Sequence, residues 1–214
     1  MPASSANRLV SSVAPALRAV IFDLDGTLVD SRLDFASMRR AIGAPEGVGL
    51  LEHVEALACA QERQRAMEII HQHEIAGARA ACWMPGAEAL LTRIHRRRTP
   101  TAIVTRNSRE AARLTMARLR MPEIPLMARE DAAPKPDPEA LLALATRWNI
   151  EPRYCAYVGD FRFDIEAAER AGMVPVLYQP GTGAGGEGGE GGEFAGRAYV
   201  VEDFERPPFW LLDP

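Results

Sequence analysis

Short apolar runs alternate with longer stretches of helical spacing along most of this chain, and that alternation admits few folds. Apolar runs bounded by turn formers read as buried strands, and apolar residues three and four apart read as helices packed on them. Strands are predicted at 19–24, 101–105, 125–127, 156–159, 174–178 and 198–201, with helices at 86–97, 109–118, 138–148 and 164–171. Strands joined through helices pair in parallel, so the predicted class is α/β, a Rossmann-like parallel sheet core with helices on both faces.

One connection is too long for this pattern. About 75 residues separate the first two strands, far more than a crossover helix needs. Residues 31–84 are rich in helix formers, with Leu50, Leu51, Val54, Leu57 and Ala58 at helical spacing. They are expected to form an inserted small α-helical cap of two to four helices, leaving 19–30 and 85–214 as the core. The cap also holds His71, His73 and Glu74. Residues two apart on a helix face different directions, so these are expected to be solvated polar groups and not a metal site.

Composition excludes several classes. With 214 residues, 47% of them hydrophobic and a formal charge of −4, the chain is an ordinary globular protein with no basic surface for nucleic acid. No apolar run reaches the ~20 residues of a membrane span. Cys59, Cys82 and Cys155 show no ligand or redox spacing and fit a reduced, cytoplasmic setting. Residues 1–18 carry arginines and serines without an acid; a disordered extension is expected there. Residues 181–193 read GTGAGGEGGEGGE, a flexible loop within the core whose interleaved acids rule out a phosphate cradle.

The residues that carry chemistry fall at predicted strand ends. Asp23 and Asp25 follow the first strand, and the strand alternation places residues two apart on one face. Two carboxylates so close call for a cation, a shared proton or both. Thr105-Arg106-Asn107-Ser108 follows the second strand, where a hydroxyl and a capped helix N-terminus offer an anion seat. Asp160 and Asp164 follow a later strand and add hard oxygen ligands suited to magnesium. Of 25 basic residues, 24 are arginine; Lys135, between Pro134 and Pro136, is the one lysine. A compact ammonium does there what a planar guanidinium does not. Ligands of open α/β sheets bind beyond the carboxyl ends of the strands, so these groups are expected to meet in one crevice.

The order Asp23-x-Asp25-x-Thr27, Thr105, Lys135 and Asp160-x-x-x-Asp164 resembles the haloacid dehalogenase superfamily, and FDLDGTLVDS at 22–31 resembles its phosphoglycolate phosphatase-like branch. That resemblance implies a magnesium-dependent phosphatase acting on a small anionic phosphate monoester through an aspartyl-phosphate. It makes Asp23 the nucleophile and Asp25 the general acid and base. Magnesium falls to Asp23, the Asp25 carbonyl, Asp160 and Asp164. Thr105 and Lys135 bind the phosphoryl group, joined by Arg106, while Thr27 and Asn107 support the loops. Arg32, just inside the cap, and Arg106 are candidate readers of a second anionic group on the substrate. Phe161 stands where the family often has a hydroxyl. The alternatives are a phosphate-binding regulatory module without turnover and a sugar-phosphate mutase. The related mutases carry a histidine at the position of Phe35, which counts against the latter. The expected partner is a small phosphorylated metabolite, with no nucleic acid and no membrane, and the expected assembly is a monomer or homodimer.

Overall fold

The structure, a computed structural model, describes residues 16–180, 194 and 196–212. Most of the extension expected at 1–18 and all of the glycine-rich segment at 181–193 lie outside the described residues. Contacts divide the chain into two compact units: 1–30, 83–106 and 122–214 in the first, 31–82 and 107–121 in the second.

The first unit is built on a six-stranded sheet, β1 (Ala19–Phe22), β4 (Thr101–Val104), β5 (Leu126–Met127), β6 (Cys155–Gly159), β7 (Val174–Tyr178) and β8 (Tyr199–Val201). Its order is β5-β4-β1-β6-β7-β8, and every pairing is parallel. This is the Rossmann-like α/β arrangement expected from the alternation of apolar runs and helical stretches. A short ribbon joins β2 (Val29–Asp30) to β3 (Cys82–Trp83). Helices α4 (Ala87–Arg96), α6 (Glu139–Trp148), α7 (Arg162–Ala171) and α8 (Phe209–Leu212) complete the unit.

Every residue of β1, β4 and β6 is buried, so both faces of the central strands are covered. That is why they read as continuous apolar runs and not as an alternation. On one face Ala19, Ile21, Ala102, Val104, Cys155 and Tyr157 form a core with Leu141 and Leu144 of α6 and Ala167 and Ala168 of α7. Gly172 closes α7 in the left-handed conformation at φ 70°, directly after the helix expected at 164–171. In α8 Trp210 and Leu211 are buried, whereas Phe209 is 69% exposed. A single helical turn leaves one side of its residues in water.

The second unit consists of α1 (Phe35–Ile42), α2 (Leu50–Ala56), α3 (Ala60–Ala80) and α5 (Arg109–Arg118). Asp34 caps α1 by accepting from the Ser37 N–H at 2.8 Å. Leu51, Val54, Ala66 and Ile70 form its core, with Ile42, Leu50, Leu57 and Met67 against them. Contacts group α5 with the inserted helices, whereas the sequence reading kept 107–121 with the sheet.

A hydrogen-bonded cluster ties α3 to α5 and corrects the reading of His71 and Glu74 as solvated. Glu74 is 4% exposed, and its Oε2 accepts from the Ser108 N–H at 3.1 Å. His71 Nδ1 lies 3.1 Å from Ser108 Oγ, and its Nε2 lies 3.3 Å from Glu110 Oε2. The free N–H at the start of α5 attracts a carboxylate, and the long α3 brings one to it.

Candidate active site

β1 lies between β4 and β6, with Phe22 beside Ile103 on one side and Val158 on the other. The chain therefore emerges at Asp23 flanked by the two strands that lead to Thr105 and Asp160. This is the position in the sheet at which neighbouring connections part and open a crevice. The Asp23 N–H still donates to the Val158 carbonyl at 2.8 Å, which holds its side chain at the strand end.

Three of the predicted carboxylates meet there. Asp23, Asp160 and Asp164 each offer an oxygen within 4.8 Å of the others. Asp25 is not in this cluster. The strand ends at Phe22, and the chain turns so that the N–H groups of Leu28 and Val29 both donate to the Leu24 carbonyl at 2.9 Å. Face alternation no longer applies at Asp25, which pairs with Val29 in an isolated bridge.

Lys135 stands at the centre of the cluster. Its Nζ lies 2.7 Å from Asp23 Oδ1 and 2.6 Å from Asp164 Oδ1, and the residue is 6% exposed. The loop that carries it includes a cis Lys135–Pro136 bond and leads into α6, where Asp137 Oδ1 accepts from the Glu139 N–H. Burial pushes the ammonium down, but the charges of Asp164 and Asp23 outweigh it and hold Lys135 above its ordinary value. Burial likewise drives Asp23 well above the ordinary carboxylate range, against the pull of Lys135 and with repulsion from Asp164 and Asp160.

Asp164 has its acceptor capacity engaged by the protein. Besides Lys135, its Oδ1 lies 2.9 Å from the Tyr157 hydroxyl, and its Oδ2 accepts from the Phe161 N–H at 3.1 Å. Its place is that of an anchor for the lysine and the loop. Tyr157 was not singled out in the sequence; one tyrosine in the apolar run of β6 was the available signal. A buried hydroxyl needs a partner. The Asp164 side chain also occupies the space beside Gly159, where a Cβ would come within 2.2 Å of its carboxyl carbon.

Asp160 is partly exposed and accepts from the Thr27 hydroxyl at 3.0 Å. Thr27, expected to steady the Asp25 loop, therefore also holds Asp160. Gly26 makes room for this at φ 81°, where a Cβ would meet Asp160 Oδ2 at 2.2 Å. Gly26→Ala is expected to push Asp160 off Thr27, costing about 1–3 kcal/mol of stability and at least tenfold in turnover, as read by denaturant melts and rate assays.

Burial, then the charge of Asp164, raises the Asp160 carboxyl to about 6, against the Thr27 hydrogen bond and Lys135. An acid raised in the folded state keeps its stabilising share below its unfolded value near 3.8 and loses it as pH rises through about 6. In chelator, wild type and Asp160→Asn are expected to melt alike near pH 4. The variant is expected to gain on wild type by on the order of 2–3 kcal/mol as pH rises through 6.

Three carboxylates against one ammonium leave an excess of negative charge that a hard divalent cation fits, and oxygen donors of this kind suit magnesium.

Thr105 is buried and continues the sheet through its N–H to the Met127 carbonyl at 3.0 Å. The Arg106 carbonyl accepts from Arg129 at 3.2 Å. Ser108 caps α5, accepting from the Ala111 N–H at 3.3 Å. Within the second unit Glu74 takes the Ser108 N–H, one of the donors at the start of α5. Asn107 is buried and Arg32 exposed, the latter at φ 51°; both belong to the second unit.

Comparison with known proteins agrees with this chemistry. Residues 17–172 match the haloacid dehalogenase-like hydrolase family. A haloacid dehalogenase-like hydrolase domain-containing protein of Arabidopsis thaliana is 33% identical over 79% of this chain and 74% of its own. A phosphoglycolate phosphatase of Xanthomonas campestris is 29% identical over 74% of this chain and 81% of its own. The validoxylamine A 7'-phosphate phosphatase of Streptomyces hygroscopicus is 27% identical over 73% and 83%. Among solved structures, a hydrolase from Pseudomonas syringae superposes with a TM-score of 0.70 at 25% identity, covering 88% of this chain and 94% of that one. With its strand-end carboxylates, its lysine and its sheet order in place, the chain belongs to the haloacid dehalogenase-like hydrolase family.

Proposed function

We propose that this hydrolase is a magnesium-dependent phosphatase that cleaves a small anionic phosphate monoester, phosphoglycolate-like in size and charge, through an aspartyl-phosphate. The observation that carries the reading is Asp23 at the end of the central strand, 2.7 Å from the buried Lys135 and clustered with Asp160 and Asp164.

In this reading Asp23 attacks phosphorus, the bond from phosphorus to the ester oxygen breaks, and Asp25 gives its proton to the departing alcohol. Asp25, now ionised, takes a proton from the water that attacks the aspartyl-phosphate, which frees phosphate and restores Asp23. Lys135 orients the Asp23 carboxylate and, with Thr105 and Arg106, attracts the phosphoryl oxygens, where charge and positioning supply most of the rate. Thr27 and Asp164 hold Asp160 and Lys135 in place. A divalent cation held by Asp23, the Asp25 carbonyl and Asp160, with Asp164 behind them, supplies further positive charge against the phosphoryl group.

The test is phosphate release from a panel of phosphomonoesters. Turnover is expected with millimolar magnesium, lost on chelation and restored by adding the metal back. Wild-type protein that released no phosphate from any ester would overturn the reading.

A further inference from the structure

Beside the carboxylate cluster, the two strands that flank β1 each deliver a guanidinium to the same aromatic ring. Arg106, directly after Thr105 at the end of β4, places its Cζ 4.9 Å from the centre of the Phe163 ring. Arg162, two residues past Asp160 at the end of β6, places its Cζ 5.0 Å from that centre and 5.8 Å from the centre of Phe161. The two rings meet edge to face at 5.2 Å and 79°. Such a ring pair holds a guanidinium without neutralising it, because an aromatic face attracts a cation and carries no net charge.

Among the described residues the Arg162 side chain makes no ion pair and no hydrogen bond, and its Nε is buried without a partner. It is also the first residue of α7, the end of a helix where the dipole disfavours a cation. Neither helix stability nor a salt bridge accounts for an arginine there. Stacking leaves the donors of a guanidinium unspent, here without an acceptor from the protein among the described residues, and a guanidinium fork matches a carboxylate. Phe163, whose ring carries Arg162, directly precedes Asp164, the anchor of Lys135.

We propose that Arg162, pinned with Arg106 on Phe163, reads a carboxylate carried by the alcohol portion of the phosphate ester. This rests on the phosphatase reading above and adds its substrate class, a phosphomonoester of a hydroxy acid. Arg162 is then a specificity-determining residue, and Phe163 and Phe161 position it.

The experiment compares kcat/KM for 2-phosphoglycolate with that for ethyl phosphate, which lacks the carboxylate. Wild type is expected to favour phosphoglycolate at least tenfold. Arg162→Gln is expected to lower that preference at least tenfold, mainly through KM for phosphoglycolate, and Arg162→Lys, which keeps the charge without the fork, to recover part of it. Phe163→Leu is expected to move the preference the same way by less. If the glutamine variant melts early, the lysine variant carries the test, its preference expected to fall below that of wild type. A preference unchanged by both substitutions, or a loss falling equally on both esters, overturns the proposal. So does a wild type that hydrolyses ethyl and 4-nitrophenyl phosphates but does not favour phosphoglycolate. Failure on all three esters overturns the phosphatase reading itself.

Discussion

Asp23→Asn is expected to abolish phosphate release, a fall of at least about 10⁴-fold, while the metal-free protein melts no lower than wild type. An amide of the same shape is too weak a nucleophile to displace the alcohol, so no aspartyl-phosphate forms. The stability side follows from charge. Asp23 sits among Asp160 and Asp164 with one ammonium for three carboxylates, and its carboxyl is held well above the ordinary range, first by burial. A neutral isostere removes a disfavoured buried charge, and its carbonyl oxygen can still accept from Lys135. Calorimetry and a phosphate assay on one preparation separate lost chemistry from lost fold. Retained turnover in Asp23→Asn would refute the nucleophile assignment.

Lys135→Ala is expected to do the opposite to stability. Removing one partner of a buried ion pair leaves the other charges uncompensated, at about 3–5 kcal/mol. Here the ammonium serves Asp23 and Asp164 together, at 2.7 and 2.6 Å, so the loss belongs at the upper end of that range. The deficit should shrink as pH falls. Lys135 lowers the carboxyls of both Asp23 and Asp160, and without it they take up protons at higher pH and shed their repulsion. Turnover is expected to vanish as well. Lys135→Arg should not preserve it, because a planar fork does not fit a site that is 6% exposed and shaped for a compact cation. Urea melts at pH 5 and pH 7.5 read the stability prediction directly. A loss that stayed constant between them would place the lysine's role outside the carboxylate cluster.

Much of this site was legible in one dimension because strand ends and carboxylates both leave plain marks. Asp23, Lys135, Asp160 and Asp164 were each found where a buried run stops or a helix is about to start, and the structure brings these four side chains together. Asp25 was read through a strand alternation that ends at Phe22, one residue before the first aspartate. The turn, with Gly26 at φ 81°, is decided by the side chain of Asp160 lying against it, and that neighbour is more than half the chain away.

Other parts could not have been read that way. Glu74 looked like a solvated acid on a polar helix, and its burial depends on a free N–H at the start of α5. Arg162 looked like one arginine among 24. Its distinction is that it meets no acceptor among the described residues, together with the ring it shares with Arg106, and both are properties of neighbours.

By itself the sequence determined the class of fold, the strand ends and the chemical types gathered at them, since apolar runs, helix stops and a solitary lysine are local facts. Only the tertiary structure decided which carboxylates come within 4.8 Å of one another, which one anchors Lys135 and that the Arg162 side chain meets no acceptor among the described residues. The physical reason is range: burial and hydrogen-bond partners are set by residues far apart in the chain, and a charge gains or loses its meaning according to what lies within a few ångströms of it.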